Sequence, residues 1–538
     1  PFATIQHGID AASDGDTVVI YEGVYYEEVD AGNRELTIGS LFMFDNNNES
    51  IIENTILDGE NSHRLYNLDN AQVSLIGMTM QNGYAENWGG AIIGGSGDLT
   101  IRNCRFTENY AGNSGGVMNL NGDNLIISNS VFYNNSSARA SVINVGNSTN
   151  TERTINVSIK ESVFRANTGE RRGAINVWGS DTTLINNCEF IENISGRYGG
   201  GFIVHDTKYL EIDSCIIKDN KSLRGGGGGL NIWSIDGGII SNSIFSGNIV
   251  MDTTETDTFR GGGIHLWADA TLTIRNCTIT NNTAPLAGAI AIKHNSHCTI
   301  VNSIIWGNGS TNQIGIYDDL FDEDTTSTLN ISFSNLQYGI DPIFIDEMSY
   351  IDNYDNSSMI NLAPLFCNPD SAGYTLAENS PCIGTGQDGA DMGAYGVGCE
   401  PDDVCSACNI YYTDGYPGFC CDMAWDEGGL TCLYVETEWG LDCGGCNCFG
   451  DFAFCEEQGL MMCSDYSCAE SLSQCPPECD LGDVNCDGEI NVLDIVLAAN
   501  MVLANEYDEI ADMNEDGELN ILDLVIMVNL ILEGEPVC

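Results

Sequence analysis

Two groups of residues have types and spacing that could do chemistry. Asp483, Asn485, Asp487, Asn491 and Asp494 occupy positions 1, 3, 5, 9 and 12 of one stretch whose sixth residue is Gly488. The arrangement returns as Asp512, Asn514, Asp516, Asn520 and Asp523 around Gly517. Oxygen side chains at those positions, with Gly at the sharp bend, suit Ca2+, a hard cation that takes roughly six to eight oxygen ligands. Glu489 and Glu518 fall at position 7, which binds through its main-chain carbonyl. Each stretch runs straight into an apolar helical pattern, Ile495 to Leu503 and Leu524 to Leu532. Two calcium sites are expected.

The second group is a column. Aligning the Gly-rich turns of the chain's repeats places Trp178, His205, Trp233, Trp267 and Lys293 at matching ends of successive strands. Asp181, Asp206, Asp236 and Asp269 follow just after them. Neighbouring strands lie about 4.8 Å apart, so these side chains form a row of aromatics edged with carboxylates. Aromatic faces stack on sugar rings and carboxylates bind hydroxyls or calcium, so an exposed row reads as a glycan-binding strip. The competing reading is a stack that only stabilises the fold or a subunit contact.

The elements that must position both groups are repetitive. The phrase Asn103-Cys-Arg-Phe-Thr-Glu-Asn109 recurs as Gly77 to Asn82, Ser130 to Asn135, Ser162 to Asn167, Cys188 to Asn193, Cys215 to Asn220, Ser243 to Asn248, Cys277 to Asn282 and Ser303 to Asn308. A period of that length signals a solenoid. Asn at one fixed position per repeat fits an internal amide ladder. The Ser/Cys column then faces inward, with Cys104, Cys188, Cys215 and Cys277 as small buried hydrophobes. Ile5, Ile9 and Ala12 have helical spacing, and a short helix there, ended at Asp14-Gly15, would cap the first open coil.

Gly15-Asp-Thr-Val and Gly23-Val-Tyr-Tyr-Glu-Glu resemble the start of the right-handed parallel β-helix family typified by pectin lyases. The resemblance implies a fold rather than an activity. The Asn-Thr-Asp, Asp-Asp and Gly-His-Gly set of the family's hydrolases is not assembled here. Asp318-Asp319 reads as a solvated turn, and a lyase would take its base from a short list headed by Arg260, Arg275 and Lys293. No catalytic residue is assigned. Pro364-Leu-Phe-Cys367, Ser380-Pro-Cys382 and Asp391-Met-Gly-Ala-Tyr-Gly resemble the closing segment that follows such β-helices, and a Cys367–Cys382 bridge across that cap is expected.

The duplicated loop-helix segment resembles a type I dockerin. That implies a module that plugs into a cohesin-like partner through loop positions 10 and 11, here Val492, Leu493, Ile521 and Leu522. Both pairs are apolar, which leaves docking onto another copy of this protein open. Cys538 is expected to bridge back to Cys479 or Cys486.

Composition narrows the partners. The chain of 538 residues carries 78 acidic side chains against 18 Lys and Arg, a formal net charge of -60. That disfavours nucleic acid and anionic lipid. After Lys293 there is no Lys or Arg, against roughly 45 acidic residues. Of 23 cysteines, those from Cys399 to Cys479 are dense enough to imply disulfides and an extracellular setting. Zinc at Cys405-x-x-Cys408 and Cys443-x-x-Cys446 is the alternative. No apolar run is long enough to span a bilayer. The first residue is Pro1 rather than Met, as expected of a processed or trimmed chain.

The expected fold is mainly β. It comprises a cap and first coils (1–60), parallel β-helix repeats (61–345), a closing cap (346–399), a Cys-rich disulfide region (400–479) and a small α-helical dockerin-like domain (480–538). The expected function is a secreted or cell-surface structural or adhesion protein assembling through its calcium-loaded module. The alternative is a polysaccharide lyase, glycoside hydrolase or glycan-binding module recruited by that module.

Overall fold

The computed structural model describes residues 2–399 apart from short stretches, the longest being 147–154, 252–259 and 319–325. Beyond 399 it describes 461–462, 468–469, 484, 492–504 and scattered residues between 510 and 526. The chain divides into two compact units, Pro1–Ser406 and Ala407–Cys538.

In the first unit, mostly short strands alternate with tight corners, so the chain turns on itself instead of forming long hairpins. One full coil runs Ile92–Gly94, Leu99–Arg102, Arg105–Thr107 and Tyr110–Ala111. Each strand pairs in parallel with its equivalents one coil back and one coil on. Leu99 lies opposite Val73 and Leu125, and Phe106 opposite Met80 and Phe132. The stack makes parallel sheets of 23, 12 and 7 strands. The largest sheet joins two faces of the coil, because Phe202–Asp213 and Leu230–Ser241 run unbroken through the corner between them. In the largest sheet, parallel pairing begins with Thr17–Ile20 and ends with Tyr350–Tyr354.

Corners need left-handed backbone, which Asn and Gly tolerate best. Asn103, Asn129, Asn187, Asn242, Asn276 and Asn302 all have φ between 49° and 53°. Glu161 and Ser214 take the same left-handed corner, and directly after these eight corners the Ser/Cys column is buried: Cys104, Ser130, Ser162, Cys188, Cys215, Ser243, Cys277 and Ser303. Burial pushes the thiols of Cys104 and Cys277 up to about 12, so they act as packing groups. The phenyl rings of Phe106, Phe132, Phe164 and Phe190 stack beneath at 4.9, 4.6 and 4.8 Å.

The amide ladder runs unbroken through Asn109, Asn135, Asn167, Asn193, Asn220, Asn248, Asn282 and Asn308, all buried. Asn135 is representative. Its Nδ2 donates to Phe106 O at 3.0 Å and to Asn167 Oδ1 at 3.1 Å, and its backbone N donates to the same Oδ1 at 3.0 Å. The repeat beginning at Gly77 departs from the expected alignment. Register pairs Met80 with Phe106, so Gly83 rather than Asn82 stands at the ladder position. Gly83 N ends the ladder by donating to Asn109 Oδ1 at 2.8 Å, while Asn82 is a left-handed corner bonded to Asp58.

The helix Ile5–Ala11 covers the first coil with Ile5 and Ile9. Thr4 Oγ1 accepts from His7 N, and the Glu27 carboxylate accepts from Ile5 N and Gln6 N, pairing first-turn donors that a helix leaves open. At the other end, Phe366–Asn368 pairs with Gly373–Ala377, which pairs with Val397–Cys399. That sheet joins Cys367 to Cys399, Cα atoms 5.8 Å apart, and not to Cys382 as expected. Cys382 instead packs against Ile304, Leu376 and Met392, its sulfur 3.1 Å from Asn335 Nδ2. Cys367 and Cys399 lie on strands of one three-stranded sheet, which brings them together, whereas Cys382 is buried against Ile304 of the last coils.

In the second unit the helix Val492–Ala504 buries Ala498 with Ala511, against Val484, Ile495, Met513, Leu519 and Leu524. Met461–Met462 pairs antiparallel with Cys468–Ala469. The remaining cysteines of 400–479, including both Cys-x-x-Cys pairs, and Cys538 lie outside the described residues. Among the described residues no helix is long and apolar enough to cross a membrane.

Candidate functional sites

The aromatic column is in register. Trp178 pairs with His205, His205 with Trp233, Trp233 with Trp267, Trp267 with Lys293, and Lys293 with Tyr317. Ring centroids step by 5.1, 6.0 and 4.6 Å from Trp178 to Trp267, all near parallel. His294 tilts against Trp267 at 5.7 Å, and Lys293 Nζ sits 4.3 Å from the Tyr317 ring centroid. Tyr317 was missed in the sequence, although one further count along the column reaches it.

The column is less exposed than expected. Trp178 and Trp233 are each 36% accessible, but His205 and Lys293 are buried at 4% and 3%. Stacking one coil apart also presses ring face against ring face, leaving mainly edges to solvent. A sugar stacks on a free face, and among the described residues Trp178 has an aromatic register partner on one side and Gly146 on the other.

The aspartates do not form one row. Asp206 Oδ2 lies 3.1 Å from His205 Nδ1, while Nε2 of that ring lies 3.1 Å from Asn176 Oδ1. Burial pushes the His205 imidazole down to about 4, the Arg172 charge adds to this, and Asp206 pulls the other way. Asp181 contacts Lys208 Nζ, and the Asp236 charge also favours the ammonium form of that lysine. Asp269 Oδ1 accepts from Asn295 Nδ2 at 2.7 Å. Asp318 is not the solvated residue expected. It is 3% accessible, and its carboxylate accepts from Asn295 N at 2.9 Å and from Ser327 Oγ at 3.0 Å, tying two coils together. Among the described residues no group of three or more His, Cys, Asp or Glu is arranged to hold a metal.

Of the twelve expected calcium residues, Asp483, Asn485, Asp487, Glu489, Asn491, Asp512, Asn514, Asp516 and Glu518 lie outside the described residues, as does Leu522. Val492, Leu493 and Asp494 begin the helix Val492–Ala504. Asn520 and Asp523 are described. Asp523 is fully buried and one of its oxygens accepts from Asn520 N at 2.8 Å. Nothing from residue 298 onward is Lys, Arg or His. A buried carboxylate in such a segment has no side-chain cation of its own unit to balance it, and a divalent ion fits that need. Ile521, beside it, is 65% exposed.

Residues 89–271 and 244–341 match the family described as right handed beta helix region. The parallel coils above agree, and over this span the chain is a right-handed β-helix. Residues 481–532 match the dockerin type I domain, so the solenoid is followed by a dockerin, a module type that binds calcium and docks onto cohesins. No curated protein matches the chain.

Proposed function

We propose that the protein is a secreted or cell-surface structural component, a rigid β-helix joined to a cohesin-like partner or to another copy of itself through a calcium-loaded dockerin. The observation that carries this reading is the buried Asp523 within a duplicated set of oxygen ligands, in a segment that has no cationic side chain. Asp483, Asn485, Asp487, Asn491 and Asp494 would hold one ion, with the Glu489 carbonyl. Asp512, Asn514, Asp516, Asn520 and Asp523 would hold a second, with the Glu518 carbonyl. Val492, Leu493, Ile521 and Leu522 then supply the recognition surface. The exposure of Ile521 supports this, since an apolar side chain left in solvent beside an ion site gains by being covered.

The test uses the full chain with calcium and then with excess EDTA. Calorimetry should find two ions per chain, and light scattering and imaging should find assemblies, or cohesin capture, that chelator abolishes. Assemblies that persist in EDTA would refute the reading.

A glycan-binding role for the column has one supporting observation: among the described residues the Trp178 ring is 36% accessible and has Gly146, not a second ring, as its partner on one side. Trp178→Ala should then weaken retention on an immobilised polysaccharide more than Trp267→Ala. Equal retention of both variants and the parent on every glycan tried would remove this role. Release of unsaturated or reducing sugars in the same panel would mark an enzyme.

A further inference from the structure

The chain has few cations, yet several stand together. Arg171, Arg197 and Arg224 each lie two residues beyond Gly169, Ser195 and Ser222, which pair in register across three successive coils. Tyr198 N donates to Arg171 O at 2.8 Å, which holds the first two of these turns one above the other. All three arginines are exposed, as is Lys221, and Arg172 is half-buried beside them. Among the described residues none of these five side chains pairs with a carboxylate at salt-bridge distance. Arg165, by contrast, binds Glu192 at 3.0 Å, and Lys208 binds Asp181. Arg197 instead lies over its neighbour's ring, 5.1 Å from the Tyr198 centroid.

Stacking like charges one coil apart, about 4.8 Å, is unfavourable unless a counter-charge lies over them. The protein has an excess of carboxylates, and Gly196 and Leu223 occupy the positions equivalent to Glu170, where acids would neutralise the column. Among the described residues the strip is therefore cationic, although Glu170 lies beside Arg171 and the next equivalent position, Asp252, lies outside the described residues. At physiological salt, charges beyond about 8 Å are largely screened, so an anion on the strip responds mainly to charges on the neighbouring turns.

We propose that this arginine strip is a binding site for a linear sulfated polysaccharide laid along the solenoid axis. The strip lies at the turn before the strands that carry the tryptophan column. Its regular step, one guanidinium per coil, suits a polymer whose charged units repeat at a similar interval. The column is built of arginine, whose planar, weakly hydrated fork pairs with oxyanions through two parallel hydrogen bonds. A sulfate half-ester offers three such oxygens and stays ionised throughout the protein's working pH.

The test is affinity of the calcium-loaded full chain for dextran sulfate, with polygalacturonate and a single-stranded DNA as rival polyanions. Binding to dextran sulfate should be at least tenfold tighter than to either rival and should weaken steeply with salt. The triple variant Arg171→Gln, Arg197→Gln, Arg224→Gln should lose at least tenfold, while Arg275→Gln, an exposed arginine outside the strip, should not. The substituted side chains are in solvent, and an unchanged circular dichroism spectrum will show that the triple variant folds. Undiminished dextran sulfate binding by the triple variant, tighter binding of polygalacturonate or DNA, or a loss seen only with Trp178→Ala would each overturn the proposal.

Discussion

Asn193 gives the sharpest test of what holds the coils together. Its Oδ1 accepts from Asn167 N at 3.1 Å and from Asn167 Nδ2 at 3.0 Å. Its Nδ2 donates to Phe164 O at 2.8 Å and to Asn220 Oδ1 at 2.9 Å. Replacing it with Ala leaves Asn167 N without its side-chain acceptor in a site sealed from water, at about 1 to 3 kcal/mol. Asn167 Nδ2 retains Phe132 O as a partner, and Asn220 Oδ1 still accepts from the backbone N of residue 193, so those losses are smaller, about 1 kcal/mol each. The sum is on the order of 3 to 5 kcal/mol. Asn193→Asp should be worse. It restores the acceptor for Asn167 but sets a carboxylate oxygen against Asn220 Oδ1 and buries a charge. Urea unfolding of the full chain followed by circular dichroism would give the stability change. Amide exchange would show whether protection is lost at residue 167 and in the adjoining coils. A cost below about 1 kcal/mol for Asn193→Ala, or tolerance of Asn193→Asp, would refute the view that the ladder's donor-to-acceptor direction holds the stack.

Three further outcomes follow. His205 remains neutral in the folded state down to about 4 whereas the unfolded side chain protonates near 6.5, so stability should fall as pH drops through that window, by about 3 kcal/mol. His205→Gln should remove that difference in urea midpoints measured between pH 7 and pH 4.5, and an unchanged acid-side slope would contradict the burial argument. Peptide mapping without reduction should find Cys367 linked to Cys399, and Cys382 should react with iodoacetamide only after denaturation. Asp523→Ala should lower calcium stoichiometry by one and abolish cohesin capture or self-assembly while leaving the β-helix signal in circular dichroism unchanged.

The parts legible in the sequence were those that repeat. A ladder Asn, a small inward residue and a left-handed corner recur because each coil must solve the same problem of reversing the chain without leaving polar backbone unpaired. The aromatic column was found for the same reason. What the spacing could not give was depth. His205 and Trp233 are equivalent in register, yet one is buried and the other exposed, because the smaller imidazole lies between the Trp178 and Trp233 rings while the larger indole extends further. The Gly77 repeat slipped by one residue because the phrase was aligned on Asn82, whereas register follows the apolar partner Met80. The resemblance to a closing cap pairs Cys367 with Cys382, but the closing sheet brings Cys399 across instead.

The placement of charge suggests why the two units need different kinds of cohesion. All 18 Lys and Arg lie at or before Lys293. The β-helix can spend them locally, as in the Arg105 contacts to Glu49 and Glu53. The second unit, Ala407–Cys538, has no such resource. Carboxylates such as Asp523 that must be buried there repel one another at neutral pH unless something positive lies between them. A divalent ion supplies two charges and several ligand bonds at one point, so under the proposed calcium-loaded state the acidic residues would hold the unit together instead of repelling one another. Calcium would then govern the folding of the docking surface itself, and partner binding would follow calcium activity more steeply than a one-ion contact at a preformed interface allows.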